Sequence, residues 1–483
     1  MKKLKWIVLG LSVLLLVGGV GGGLALKSWL GTVLTRESLI RQLETQWNCR
    51  ADATSLTVSL WSSPARVEIT NLNLAPRDAE ADAETPLAAR KPLTSALAGA
   101  DHVVLEVDLA DLVHRRLHVK RLTLTSVRAR NEISEDGGNL LAKLFSKPLS
   151  LAPASAAPKV VAAAPVSGEK ATSVPTEPGA ATPPAGNAPF TPPEPQQPLP
   201  KKHRPVFQAS ALGMSVVIDE ARLEQASYHE NNRIAHSRTD VSDLNLAISQ
   251  VDVDPGDLER HNQCKIDLSA HLQTSGRTRI GADTQNVKTS DFTFETHSNI
   301  HPIDATTGEL SPSGTLDLLL KKGSVFGGFT TIGELAGNDK GLANAKKNFG
   351  IDVSNIKAGG DLQEDMRTAV KINGPRIEFT QDARLLFPEY AGIVRAGSWL
   401  NGGEDLHEMQ LQLVPSDALS KSLQDGVKEK FGDGGMKIAL GIFNDGQGRL
   451  AFDLISSGRL SKAKVELGGQ AGALQNLFKG FLK

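Results

Sequence analysis

Cysteine, tyrosine and catalytic signatures are what this chain has least of. Its 483 residues include two cysteines, Cys49 and Cys264, and two tyrosines, and aromatic side chains make up 5% of it. Two thiols so far apart in sequence exclude a disulfide-stapled scaffold and a four-thiol metal site. In an oxidising compartment they can pair; otherwise they are two separate buried thiols. So few rings leave little for an aromatic-rich compact core, whereas plentiful Thr, Ser, Val and Leu suit a long sheet with an aliphatic face. An excess of one charge is also missing: 53 basic residues against 54 acidic ones leave a net charge of -1, so nucleic acid is not an expected partner. No GxSxG elbow, HExxH helix, Walker loop, CxxC pair or strand-borne dinucleotide fingerprint occurs. The eleven histidines are scattered, with His114, His118, His271 and His301 on polar faces. Residues 252–257 read as an acidic β-turn, because the spacing and the closing Glu of a calcium loop are missing. The expectation is no enzyme, no cofactor and no resident metal.

What the chain does have begins at residues 6–26, which contain no charge and follow Lys2, Lys3 and Lys5. As a helix they extend about 31 Å, close to the roughly 30 Å hydrocarbon core of a bilayer. They read as one membrane crossing, with Trp6, Leu14, Leu15, Leu16 and Leu26 in the anchor and the N-terminus in the cytoplasm. A cleaved export signal is the competing reading; both place everything from Lys27 onward outside.

After the anchor, Thr35 caps a helix over 35–47 with Leu39, Ile40, Leu43 and Trp47 on one face. The pattern then changes to period two, the mark of strands with one oily side. Leu56, Val58 and Leu60 form the first apolar row. Val103, Leu105 and Val107 form the next, then Leu122 and Leu124. Leu72 and Leu74 fall out of phase with Val67 and Ile69, which calls for a bend near Asn71. Residues 148–205 hold fifteen of the 25 prolines and cannot bury a core. Beyond them alternation resumes at Leu244, Leu246 and Ile248, at Ile266 and Leu268, and at Leu316 and Leu318. It continues through Met436, Ile438, Leu440 and Ile442 to Val465 and Leu467. Helices are expected at 341–349 and 416–431. Glycines 327–328 and those of 333–341 read as bends. Residues 69–75, ITNLNLA, recur as VSDLNLA at 241–247, a short internal echo. The chain closes with Leu474, Leu477, Phe478, Phe481 and Leu482 on one helical face, read either as a sheet cap or as a membrane contact.

The anchor, the short helix, the strand pair with Pro64 at its turn and the strand leading into Asp111-Leu112-Val113 come in a familiar order. With the stretch Asp136-Gly137-Gly138-Asn139-Leu140-Leu141 and the terminal Gly448-Arg449-Leu450 and Gly458-Arg459-Leu460 segments, the chain resembles the AsmA-like family of envelope proteins, including its AsmA/TamB-type members. The resemblance covers 5–145 well and 207–467 loosely. It implies a mainly β fold: an N-terminal transmembrane helix followed by a long twisted antiparallel β-sheet curled into a groove, with short capping helices. It also implies residence in the inner membrane with the bulk in the periplasm, and carriage of phospholipid for outer-membrane biogenesis along the apolar rows. The organisation expected is a tail (1–5), a transmembrane helix (6–26), an N-terminal β region (27–147), a linker (148–205), a C-terminal β region (206–469) and an amphipathic helix (470–483). The alternative is an anchored periplasmic scaffold for other envelope proteins. Either task needs no catalytic group.

Overall fold

The computed structural model describes residues 35–60, 62–80, 82, 85–146, 207–280, 283–327, 359–444, 449–460 and 462–468. The expected anchor at 6–26, the expected linker at 148–205, the expected helix at 341–349 and the expected amphipathic end at 470–483 lie outside the described residues. Within them the chain is mainly β: one large mixed sheet with few helices. None of these helices is long and apolar enough to cross a membrane.

Helix α1 (Arg36–Gln46) is capped by the Thr35 hydroxyl, which accepts from the Ser38 amide. Then follow β1 (Cys49–Asp52), β2 (Ser55–Ser59), β3 (Ala65–Pro76) and β4 (Ala98–Asp108), a short helix α2 (Leu109–Leu112), β5 (Arg116–Thr125), β6 (Arg128–Ile133) and α3 (Leu140–Leu144). The long strands are β7 (Ser215–Asn232), β8 (Ser237–Val253), β9 (Asn262–Ile280), β10 (Asp283–Ile303) and β11 (Leu310–Leu320). Shorter ones follow: β12 (Val325–Phe326), β13 (Gly360–Asp361), β14 (Met366–Asn373), β15 (Arg376–Phe379), β16 (Ala383–Leu386), β17 (Tyr390–Val394), β18 (Trp399–Asn401) and β19 (Leu406–Pro415). Helix α4 (Asp417–Ile442), β20 (Phe452–Arg459) and β21 (Lys462–Leu467) complete the fold.

Strands β1 and β2 pair with successive halves of β3, and the ladder continues through β4, β5 with β6, β7, β8, β9, β10, β11, β14, β15, β18, β19, β20 and β21. The expectation of a purely antiparallel sheet is corrected at one place: β5 and β6 run parallel to β7. A parallel pair needs a long return connection, and the chain between β6 and β7 carries the Pro/Ala-rich stretch that supplies the length. Among the described residues no rung joins the β1/β2 edge to β21.

A transverse crease crosses the first strands. Asn71 (φ 51°), Ser126 (φ 53°), Gln225 (φ 52°) and Asp243 (φ 50°) are all left-handed. The β3–β4 ladder passes from Thr70/His102 to Leu72/Ala100, and the β7–β8 register shifts on both sides of Ala226. Each left-handed residue lets the next apolar side chain return to the same face after a change of parity. The echo in the sequence sits on this crease twice. The Asn73 amide donates to the Asn71 carbonyl at 3.1 Å, and the Asn245 amide donates to the Asp243 carbonyl at 2.9 Å. The phase slip expected at Asn71 is therefore real, and it has a counterpart in β8.

Two expectations are corrected locally. Met436, Ile438, Leu440 and Ile442 belong to α4, which passes a non-helical Gly432 and runs on to Ile442; a short apolar run fits either period, and only its neighbours decide. Leu60 lies in the turn after β2, outside the ladder.

Asn71→Val and Asp243→Val are each expected to cost about 1–2 kcal/mol, because a β-branched residue is strained in the left-handed region. Urea unfolding midpoints unchanged in both variants would show that the crease does not depend on these residues.

Candidate functional site

Residues opposite each other on neighbouring strands point to the same face, so the rungs decide whether the expected apolar rows form one surface. Leu56 and Val58 stand opposite Ile69 and Val67, which stand opposite Val103 and Leu105. These face Leu124 and Leu122, and Val107 faces Val119. Across the parallel junction Leu122 and Leu124 meet Ala221 and Leu223, and these meet Ile248 and Leu246. Ile266 and Leu268 follow on β9, then Ser298 and Thr296 on β10, then Leu316 and Leu318 on β11. Leu244 joins the same face opposite Ala226, beyond the crease. All the expected positions except Leu60 therefore share one face.

That face is not uniform. Val107, Leu244 and Leu246 are buried, whereas Leu56, Val58, Val103, Leu105, Leu122, Leu124, Ile248, Ile266, Leu268, Leu316 and Leu318 are half-buried. At its start α1 lays Leu39 and Leu43 over Ile69, Leu56 and Val103. At its far end α4 adds Leu419, Leu423, Val427 and Leu440 to a filled core with Met366, Phe387, Tyr390, Leu413, Phe443, Leu450 and Phe452, and Leu318 packs against it. Phe292, Phe326, Phe387 and Tyr390 form a chain of ring contacts with centroids 4.8, 5.4 and 5.1 Å apart. The few aromatics are thus concentrated here, a clustering that composition alone could not reveal. Between the two ends, among the described residues, the cluster built on Leu223, Val241, Leu244, Leu246 and Leu272 draws only on strand residues and Val127. Thr296 and Ser298 were missed in the sequence reading; both are buried and interrupt the apolar face on β10.

The reverse face is a lattice of ion pairs. Arg66 reaches Glu106 at 3.1 Å and Glu68 at 3.0 Å, and His102 lies 2.6 Å from Glu68. His118 stands between Asp111 and Asp219, His271 pairs with Asp291 and His297 with Asp267. His301 contacts the Asn262 carbonyl at 2.7 Å. These partners account for His118, His271 and His301 as members of a polar strand face, whereas His114 lies in the turn after α2 and not on a strand. Asp108, Asp111 and His118 have ligand atoms within 4.8 Å of one another. Asp108 caps α2 and Asp111 holds His118, so each already has a structural task. Residues 252–257 close as the turn expected, with the Gly256 amide donating to Asp254 at 2.8 Å.

Cys49 and Cys264 are both free and buried, in separate clusters. Burial pushes their thiols up to about 12 and about 11, respectively. Of the two readings open in the sequence, separate thiols is the one observed. Neither is expected to react with a thiol reagent at pH 8 in the native chain, and both are expected to react in denaturant; a fast native reaction would contradict their burial.

Hydrogen bonds from His102 and then Arg66 hold Glu68 below its ordinary value. For Asp219 and Asp240 burial acts upward, but His118 with Lys120, and Arg238 with His229, outweigh it and bring both down. A carboxylate held low in the fold stabilises it fully above its unfolded value, and that contribution fades as acid protonates it through its folded value. The fold is therefore expected to lose stability below pH 4.5 for Glu68 and below pH 3.8 for the two aspartates. Thermal unfolding followed from pH 6 to pH 3 checks this: the Glu68→Gln/Asp219→Asn/Asp240→Asn variant should show a shallower acid decline than the parent.

Comparison with family models, with curated proteins and with solved structures finds no match to this chain.

Proposed function

We propose that this chain is an inner-membrane-anchored periplasmic protein of outer-membrane biogenesis that shields and conveys phospholipid acyl chains along the apolar face of its sheet. The observation that carries the reading is the register: rung after rung, aliphatic side chains from β2 to β9 fall on one side, with Leu316 and Leu318 of β11 on that same side beyond the polar pair Thr296 and Ser298 of β10. In the middle of that side Leu122, Leu124, Ile248, Ile266 and Leu268 remain half-buried around the buried Leu223, Leu244 and Leu246, and among the described residues their cluster holds strand residues and Val127. An isolated β-protein core would normally place a second layer over such a surface. An acyl chain supplies one.

The energetics fit the task. A chain of fifteen methylenes exposed to water costs on the order of 12 kcal/mol at about 0.8 kcal/mol per methylene. A strip of Leu, Val and Ile that covers half of it removes about half of that cost at roughly 25 cal/mol per Å². No charge or catalytic group has to enter the process. The uncharged segment 6–26 and the order of features shared with the AsmA-like family support the placement in the envelope. An anchored scaffold without lipid is the reading that remains if the face proves dry.

Phospholipid is expected to co-purify with the full chain and to be detected by mass spectrometry. Leu105→Asp/Leu268→Asp, at two half-buried positions on this face, should lose most of it while keeping the circular dichroism of the parent. A folded double variant that retains its full lipid complement would sink the proposal.

A further inference from the structure

A cavity of about 230 Å³ lies beside β1, lined by Arg36, Arg50, Asp52, Arg90 and Lys91 with Leu87 as its apolar wall. Among the described residues strand β1 pairs with β3 alone, and the other edge of β1 is met by the Glu44 carboxylate, which accepts from the Ala51 amide at 3.0 Å. Arg50 is 2% exposed. Its Nη2 donates to the Lys91 carbonyl and to Asp82, and its Nε lies 3.0 Å from Asp82. Its Nη1 is buried with no hydrogen-bond partner. A buried guanidinium donor is costly to leave unmade, so this position calls for an acceptor.

The surrounding charges favour an anion. Arg36 pairs with Asp52 at 2.7 Å and Arg90 with Glu44 at 2.5 Å. Lys91 is exposed at the rim, with no carboxylate at ion-pair distance from its ammonium among the described residues. Among the described residues four cations thus meet three carboxylates: Asp52, Asp82 and Glu44. Forked guanidinium donors beside an ammonium suit phosphate oxygens. The helix that brings Arg36 and Glu44 to the cavity also lays Leu39 and Leu43 on Leu56, Ile69 and Val103, where the apolar face begins. Only nine residues separate Leu26 from Arg36; fully extended they reach at most about 36 Å, so on the proposed reading of 6–26 as the anchor the cavity stays close to the membrane surface.

We infer that the Arg50 cavity is an anion subsite that takes the phosphate of a phospholipid headgroup at the membrane-proximal end of the apolar face. This rests on the proposed lipid-handling function, and it adds substrate class: lipids with a phosphate, in preference to uncharged diacylglycerol.

The test is calorimetric titration of the full chain with three probes: inorganic phosphate, dihexanoylphosphatidylglycerol below its micelle concentration, and uncharged dihexanoylglycerol. Arg50→Met and Lys91→Glu should each weaken both phosphate-bearing probes about tenfold, the scale of one charge-assisted hydrogen bond, and leave dihexanoylglycerol unchanged. Arg50→Lys should recover part of the loss. Because Lys91 is exposed, its variant reports even if Arg50→Met fails to fold. Unaltered affinity for the phosphate-bearing probes in folded Lys91→Glu and Arg50→Met would overturn the inference. Binding of inorganic phosphate as tightly as the phospholipid would overturn the headgroup as its source. The two readings separate through Leu105→Asp/Leu268→Asp. If lipid binding survives that change but not Arg50→Met, the apolar-face reading fails and the anion subsite stands; lipid lost there but indifferent to Arg50 and Lys91 gives the reverse.

Discussion

Conservation of side-chain parity across hydrogen-bonded rungs is the constraint on which this structure depends. A β-strand shows alternate residues to opposite sides, so one unmatched residue would send every later leucine to the wrong face. The sheet meets that demand where strands bend. Between Val119 and Leu122 on β5, between Ile218 and Ala221 on β7 and between Ile248 and Val251 on β8 the apolar spacing lengthens from two residues to three, in step, on neighbouring strands. Lys120 and Asp219, which sit in that extra step on β5 and β7, pair at 3.5 Å on the polar side. The crease through Asn71, Ser126, Gln225 and Asp243 solves the same problem a second time. Bulges that are aligned across strands keep a single oily surface where isolated ones would break it.

The two ends of this surface differ from its middle in how they are satisfied. At the first end α1 and α3 close over Ile40, Cys49, Ala51, Leu74 and Leu144, with Trp47 edge-on to Phe145 at 5.2 Å. At the other, aromatic rings and α4 make an ordinary filled core. The set of interactions in the middle is smaller: aliphatic neighbours along and across strands, and an ion-paired back. Stability there comes from the ladder and from partial mutual cover, which leaves apolar area over.

Period-two alternation made most of this legible in the sequence. Leu56, Val103, Leu122, Leu246, Leu268 and Leu316 were identifiable as inward rows, and the rungs place them together because each strand repeats the same simple rule. The slip at Asn71 was visible as a phase change, and ITNLNLA with VSDLNLA pointed to a repeated bend. Three things were not visible. The parallel joint of β5 and β6 with β7 depends on where a long connection returns, which local patterning does not encode. The helical state of Met436 to Ile442 was hidden because a run with an apolar residue at nearly every position satisfies both periods. The cavity around Arg50 depends on Asp82, Arg90 and Lys91 from a loop far along the chain, and an isolated arginine in a short strand carries no sign of that.

The form of the apolar face also bears on how a carrier without an energy source would work. Adjacent strands stand about 4.8 Å apart, and each contributes a similar aliphatic pair at the same height, such as Leu105 with Val103, Leu122 with Leu124, and Ile266 with Leu268. On the proposed reading an acyl chain that moves by one strand loses one pair of contacts and gains another of nearly equal worth, so no position traps it. A deep pocket would bind more tightly and release more slowly. The row ends where Thr296 and Ser298 replace the aliphatic pair on β10 and the aromatic core begins. On the proposed readings, an even profile with a polar stop at β10 and an anion subsite at the other end leaves lipid concentration to set the direction of travel.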